Sequence, residues 1–235
     1  MRTAIILAGG LGTRLRQLVS DVPKPMASVN DRPFIAHLMD YWIGQGITQF
    51  IISVGYLKES IINYFGNEYR GIKIDYSEEE GPLGTGGGVL LAIKKIKSDD
   101  YFVLLNGDTF FEVDLQELIL YAEKNNADIC YSLFKATEPN RYGLINCDSF
   151  GRISELNSIK AKMGEQANGG VYILRKSTLI NQQLETDTKI SFEDEVLPAA
   201  LNAGRKFFGI EFTGSFIDIG VPSDYQRAAE VLGTN

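Results

Sequence analysis

The residues whose types and spacing could do chemistry lie in four short stretches. The first is Gly9-Gly10-Leu11-Gly12-Thr13-Arg14, which follows the apolar run Ile5 to Ala8 and is itself followed by Lys24, set between Pro23 and Pro25. Small residues let main-chain N–H groups approach phosphate oxygens and fixed cations neutralise them, so a strand that empties into such a turn suits a polyphosphate. The letters exclude two common glycine loops. The GxxxxGK[ST] phosphate loop needs Lys and a hydroxyl after its last glycine, where Thr13 and Arg14 follow Gly12, and the GxGxxG dinucleotide fingerprint needs a third glycine where Leu15 stands. On spacing alone the glycines also fit an ordinary strand-to-helix turn, with Arg14 on a solvated face.

The second stretch is Gly81-Pro82-Leu83-Gly84-Thr85-Gly86-Gly87-Gly88, preceded by the acidic run Glu78 to Glu80. Five glycines in eight residues cost chain entropy unless the backbone approaches something closely, and a planar base is a candidate. The third and fourth are Asn106-Gly107-Asp108-Thr109 and Phe216-Ile217-Asp218-Ile219-Gly220, each placing a carboxylate where an apolar run ends. Magnesium takes oxygen ligands and is usually held by one or two carboxylates plus substrate phosphates, which Asp108 and Asp218 together would satisfy. Each aspartate taken alone also fits a turn cap.

Ligands of open α/β sheets bind outside the carboxyl ends of the strands, so the elements decide whether these stretches meet. Short apolar runs alternate with amphipathic stretches, the pattern of βαβ units and a Rossmann-like, mainly parallel sheet flanked by helices. Strands are expected at Thr3–Leu7, Gln49–Val54, Ile72–Tyr76, Tyr101–Leu105, Asp128–Phe134, Leu144–Cys147, Asn168–Leu174 and Ser215–Asp218. Helices are expected at Pro33–Gly44, Lys58–Phe65, Gly87–Ile96, Leu115–Asn125, Phe192–Leu201 and Ser223–Leu232. The stripe Phe34, Leu38, Tyr41 and Trp42 reads as core.

A chain of 235 residues with 44% hydrophobic content supports one good core and is read as a single α/β domain, residues 1–235. Its net charge of -7, from 23 basic and 30 acidic residues, speaks against nucleic acid or an anionic membrane as partner. The early apolar run is too short for a signal peptide and no run reaches membrane-spanning length, so the protein is expected in the cytoplasm. Cys130 and Cys147 are widely spaced and read as packing residues, and the one histidine, His37, reads as structural. Oligomeric state stays open, a homo-oligomer included.

The motifs LAGGLGTRL, PKPM, PLGTGGG, NGD and FIDIG, in this order over nearly the whole chain, resemble the sugar-1-phosphate nucleotidyltransferases. Within that family, LRQLVSDVPKPMASVNDRPFI and PLGTGGG are most similar to the bacterial D-glycero-α-D-manno-heptose 1-phosphate guanylyltransferases, a group related to the mannose-1-phosphate guanylyltransferases. The resemblance implies a nucleotide-diphospho-sugar transferase fold. It also implies a reaction in which a sugar 1-phosphate oxygen attacks the α-phosphorus of a nucleoside triphosphate and expels pyrophosphate. The nucleophile is already an anion, so positioning and charge neutralisation carry the catalysis, which suits a chain with one histidine.

By the same resemblance, Leu7, Ala8, Gly9, Gly10, Gly12 and Thr13 cradle the triphosphate. Arg14 steadies the departing pyrophosphate, Lys24 the α-phosphate, and Asp108 and Asp218 hold Mg2+. Pro82, Gly84, Thr85 and Gly86 lie against base and ribose. Guanine presents two adjacent donors to an acceptor-only carboxylate, so Glu79 or Glu80 is expected to read it, with GTP as the donor substrate. On the sugar side the family's Glu-Lys-Pro triplet is replaced by Glu155-Leu-Asn-Ser-Ile-Lys-Ala-Lys162, ahead of Asn168-Gly-Gly-Val-Tyr172. Lys160 is the chosen phosphate cation and Lys162 the reserve, with Gly143 and Asn168 facing the sugar. Mannose 1-phosphate as acceptor, or UTP or CTP as donor, is the alternative. A glycosyltransferase on such a sheet would carry Asp-x-Asp, which this chain lacks. A molybdenum-cofactor nucleotidyltransferase would show Ser and Arg-Met-Gly in place of Gly12-Thr13-Arg14-Leu15, and a GTP-sensing module would not need both carboxylates and both cations.

Overall fold

Strands whose successive side chains are all apolar must be covered on both faces, and this chain supplies helices for each. The computed structural model describes residues 2–10, 19, 21–97, 101–156, 159–180 and 189–233. In chain order its strands are β1 (Thr3–Leu7), β2 (Ser28–Val29), β3 (Arg32–Pro33), β4 (Gln49–Val54), β5 (Glu68–Tyr69), β6 (Ile72–Glu78) and β7 (Tyr101–Asn106). They continue with β8 (Thr109–Phe111), β9 (Ile129–Lys135), β10 (Arg152–Ile153), β11 (Gln166–Arg175), β12 (Phe207–Glu211) and β13 (Phe216–Asp218). The α-helices are α1 (Phe34–Gly44), α2 (Lys58–Phe65), α3 (Gly84–Ala92), α4 (Leu115–Lys124), α5 (Lys176–Ile180), α6 (Leu197–Asn202) and α7 (Pro222–Val231).

Along β1, Ala4 and Ile6 join one core while Ile5 joins the other. The same alternation recurs on β7, where Val103 and Leu105 face away from Phe102 and Leu104, and on β11, where Val171 and Ile173 face away from Tyr172 and Leu174. One core takes in the buried stripe of α1, including Phe34, Leu38 and Trp42, as that helix's spacing predicts. The other takes in α3 and α6.

The sheet has nine strands in the order β10-β12-β9-β11-β7-β1-β4-β6-β5. β6, β4, β1, β7, β9 and β12 point one way, while β11, β5 and β10 run against their neighbours. The α/β class with a mostly parallel sheet holds. Beside it, β8 pairs antiparallel with β13, matching Asp218 to Thr109.

Some element expectations need correcting. Leu144–Cys147 is no strand: Leu144 N–H bonds to Ile159 O, Ile145 N–H to Gln166 O and, just beyond, Asp148 N–H to Arg152 O, so no single neighbour offers a ladder. The glycine-rich helix begins at Gly84 rather than Gly87. Residues Phe192–Val196 form a wide π turn before α6. β12 was not foreseen, because Gly209 interrupts its apolar run; a Cβ there would lie 2.6 Å from Leu133 Cδ1. His37 is buried and its Nε2 donates to Val29 O at 2.8 Å, the structural role expected of it. Cys130 and Cys147 are both free thiols. Among the described residues no helix is long and apolar enough to cross a membrane.

Candidate active site

From β1 the chain passes to β4 and β6 on one side, then returns to place β7 on the other, so a crevice opens at the carboxyl ends of β1 and β7. Gly107 closes its floor by donating its N–H to Leu7 O at 3.0 Å. A Cβ on Gly107 would sit 2.3 Å from that oxygen, so only glycine fits. Above this floor lies a cleft of about 730 Å³. Of the residues singled out in the sequence, Leu7, Ala8, Gly9, Gly10, Lys24, Glu79, Pro82, Gly84, Thr85 and Asp108 line it. Gly12, Thr13 and Arg14 lie outside the described residues.

Asp218 does not line the cleft itself but meets Asp108, which does. Pairing of β8 with β13 sets Asp218 opposite Thr109, and Ile219 N–H donates to Asp108 O at 3.0 Å. Pro23 and Pro25 bracket a single 3-10 turn at Lys24–Met26, which aims Lys24 into the site with its side chain only 9% exposed. Its Nζ lies 2.5 Å from Asp108 Oδ2. A Cβ on Gly220 would come within 2.7 Å of Asp218 Oδ1 and 2.9 Å of Lys24 Nζ, so all three charged groups share one small volume. Burial and then the Asp108 charge raise the Asp218 carboxyl above its usual range, against the pull of Lys24, the Gly220 N–H and Arg141. Two crowded carboxylates with spare lone pairs are a hard-oxygen donor set suited to a divalent cation. Among the described residues no third acidic, histidine or cysteine side chain completes a metal cage, so phosphate oxygens would have to supply the rest of the ligand shell.

The acidic run sorts itself by strand alternation. Ser77 and Glu79 turn inward, while Glu78 and Glu80 face solvent. Glu79 Oε1 accepts from Ser53 Oγ at 3.4 Å and Oε2 from Leu83 N–H at 3.2 Å. Burial raises its carboxyl above the usual range. A Cβ on Gly9 would lie 2.5 Å from Glu79 Oε1 and displace that carboxylate from its place in the cleft. Glu80 therefore drops out of the cleft. So does Gly86, whose N–H donates to Ile190 O at 2.8 Å and whose missing Cβ makes room for Val196 and Ile190. Much of the glycine content thus serves helix packing: Gly84 (φ +73°) also abuts Ile190, and Thr85 Oγ1 accepts from Phe192 N–H at 2.9 Å.

The expected sugar-side residues Gly143, Lys160 and Asn168 do not line the cleft, but Asn168 meets a lining residue that sequence reasoning missed, Glu193. Gly143 bridges Lys160, and Asn168 N–H donates to Gly143 O at 3.3 Å. The Asn168 amide and the Tyr172 hydroxyl both donate to Glu193 Oε1, at 3.0 and 2.7 Å. Glu193 lines the cleft. Desolvation by the surrounding protein raises its carboxyl, against the Tyr172 hydrogen bond, with Asp194 and Asp108 adding to the shift and Lys160 opposing it. Lys160 is exposed and does not line the cleft. The backbone N–H of Lys162 donates to Glu165 Oε2 at 2.7 Å. Glu193 gave no sequence signal, because acidic residues in the first turn of a helical segment are expected from the helix dipole alone. Ser53, Asn106, Lys189 and Ser191 also line the cleft and were not foreseen.

The chain belongs to the nucleotidyl transferase family, which residues 3–235 match. Among its relatives, it is 41% identical over 222 residues to the D-glycero-alpha-D-manno-heptose 1-phosphate guanylyltransferase of Campylobacter jejuni, covering 94% of this chain and 96% of that one. It is also 41% identical over 232 residues to the protein of the same name from Aneurinibacillus thermoaerophilus, covering 97% of each. Its structure matches the crystal structure of HddC from Yersinia pseudotuberculosis complexed with GMP-PN, with a TM-score of 0.86 and 33% identity over 99% of this chain and 100% of that one.

Proposed function

We propose that this protein transfers GMP from GTP to D-glycero-α-D-manno-heptose 1-phosphate, giving GDP-heptose and pyrophosphate. The observation that carries the reading is the meeting of Asp108, Asp218 and Lys24 at a glycine-floored cleft that Glu79 and Glu193 also line. The choice of guanine and heptose is supported by full-length identity to two relatives that bear that name.

In this reading Gly9 and Gly10, with Gly12 and Thr13, offer backbone N–H groups to the triphosphate, and Arg14 neutralises the departing pyrophosphate. Lys160 orients the acceptor phosphate, with Gly143 and Asn168 beside it, so that one oxygen attacks the α-phosphorus as the bond to the β-phosphate breaks on the opposite side. Lys24 meets the charge that develops on the α-phosphoryl oxygens. Mg2+, held by Asp108 and Asp218, would supply charge neutralisation and polarisation at those oxygens. A GTP-consuming reaction of this kind belongs in the cytoplasm.

Glu79 gives the reading its base specificity. Its two oxygens keep lone pairs for guanine N1–H and the 2-amino group, a pairing uracil and cytosine cannot match. The test is pyrophosphate release with Mg2+, each nucleoside triphosphate and a panel of sugar 1-phosphates. Release is expected with GTP and heptose 1-phosphate above every other pair. Glu79→Gln, which replaces one acceptor by a donor, is expected to lower the kcat/KM preference for GTP over UTP by on the order of 10²-fold. Preference for mannose 1-phosphate, or for UTP or CTP, would overturn the assignment, as would an unchanged preference in Glu79→Gln for the base-reading role.

A further inference from the structure

In-line transfer demands that the half-site holding the acceptor and the half-site holding the α-phosphate keep a fixed separation, and a single side chain spans the elements that carry them. Arg141 sits on the loop that leads to Gly143 and is only 15% exposed. Its guanidinium bonds the buried carboxylate of Asp224 in the first turn of α7 and reaches the Asp218 carbonyl at 3.4 Å and Glu138 Oε1 at 2.7 Å. The next residue continues the strap. The Tyr142 ring lies 5.0 Å from the guanidinium carbon and packs edge-on against Phe134 and against Phe216, two residues before Asp218. On its other side Tyr142 O accepts from Ala161 N–H at 2.9 Å, and Gly143 bridges Lys160.

The chain of contacts therefore runs from Asp218 through Arg141 and Tyr142 to Lys160. We propose that Arg141, anchored by Asp224, is a positioning residue that sets the distance between the carboxylate pair and the acceptor-phosphate cation. It touches neither substrate. One nitrogen of its planar fork serves Asp224 and the Asp218 carbonyl while the other reaches Glu138, a fixed geometry that the flexible point charge of a lysine does not reproduce. This proposal rests on the transfer reaction given above.

Displacing one half-site by about 1 Å can cost on the order of 10²-fold in rate, so Arg141→Met is expected to lower kcat/KM for the sugar 1-phosphate by about that factor. The Kd for GTP, measured with Mg2+ and no acceptor, is expected to stay within about two-fold, because the cleft floor and Glu79 are untouched. Arg141→Lys restores the charge opposite Asp224 and with it the melting temperature, yet keeps most of the loss in kcat/KM. Glu138→Gln, at the exposed end of the network, leaves turnover unchanged. Should Arg141→Met not accumulate as folded protein, Arg141→Lys and the isosteric Asp224→Asn give the same readout. Full recovery of kcat/KM in Arg141→Lys, or a folded Arg141→Met with wild-type kcat/KM, would overturn the proposal while leaving the reaction assignment standing. A wild type that turns over no sugar 1-phosphate would overturn both.

Discussion

Asp108→Asn is expected to give a folded protein whose kcat falls by on the order of 10³-fold at saturating GTP, acceptor and Mg2+. The substitution is isosteric, and the backbone of Asp108 is held by Ile219 N–H independently of its side chain, so the fold around β7 persists. What goes is a negative charge at the point where the carboxylate pair must grip a cation. Asp218→Asn removes the other half of the pair and is expected to cost about as much, with a higher Mg2+ requirement. Stability is expected to move the opposite way in the metal-free protein. Burial and Asp108 hold the Asp218 carboxyl above its usual range, so its charge is paid for within the fold, and removing it relieves like-charge repulsion. Steady-state kinetics and thermal melts on the same samples check both signs. A kcat within ten-fold of wild type in both variants would remove the carboxylate pair from the reaction.

Lys24→Met is the second large effect. Lys24 is almost fully buried along its stem, so methionine replaces its packing and deletes only the ammonium. Without it Asp108 and Asp218 face each other uncompensated, and a loss of about 1–3 kcal/mol in stability is expected, partly restored by Mg2+. Turnover is expected to fall by on the order of 10²-fold even at saturating Mg2+, because a cation is missing where charge grows on the α-phosphoryl group. Lys24→Arg is not expected to rescue it. Nζ lies close against Gly220, where an added Cβ would be 2.9 Å away, and is fitted to Asp108 at 2.5 Å, so the larger guanidinium must displace that contact. Rescue by arginine would show that Lys24 acts as a general positive charge rather than as a fitted one.

How much of this was legible in the sequence depended on the range of the interaction that decides each feature. β1, β4 and β7 read directly, because two buried faces leave a continuous apolar run, and the crevice at their carboxyl ends followed from the sheet type. The meeting of Asp108 and Asp218 did not follow from spacing. It depends on β8 pairing with β13 across the length of the chain, and either aspartate alone looks like a turn cap. Between Glu79 and Glu80 the choice was in fact available from alternation, since Glu79 continues the inward face of β6 marked by buried Ser77. The glycines of Gly84–Gly88 were read as making room for a base, whereas Gly84 and Gly86 make room for Ile190 and Val196, residues far away in sequence. Glu193 was invisible for the same reason: its partners Asn168 and Tyr172 come from β11, distant in sequence.

In the reaction proposed above, a divalent cation held by Asp108 and Asp218 would contact the α-phosphate during transfer. The most direct measurement is turnover of the two diastereomers of GTPαS, in which sulfur replaces one or the other α-oxygen, with Mg2+ and with a thiophilic cation such as Cd2+. One diastereomer is expected to be strongly disfavoured with Mg2+, Cd2+ to reverse or abolish the preference, and Asp218→Asn to weaken this switch. The same diastereomer preference with both cations, unaltered in Asp218→Asn, would contradict it.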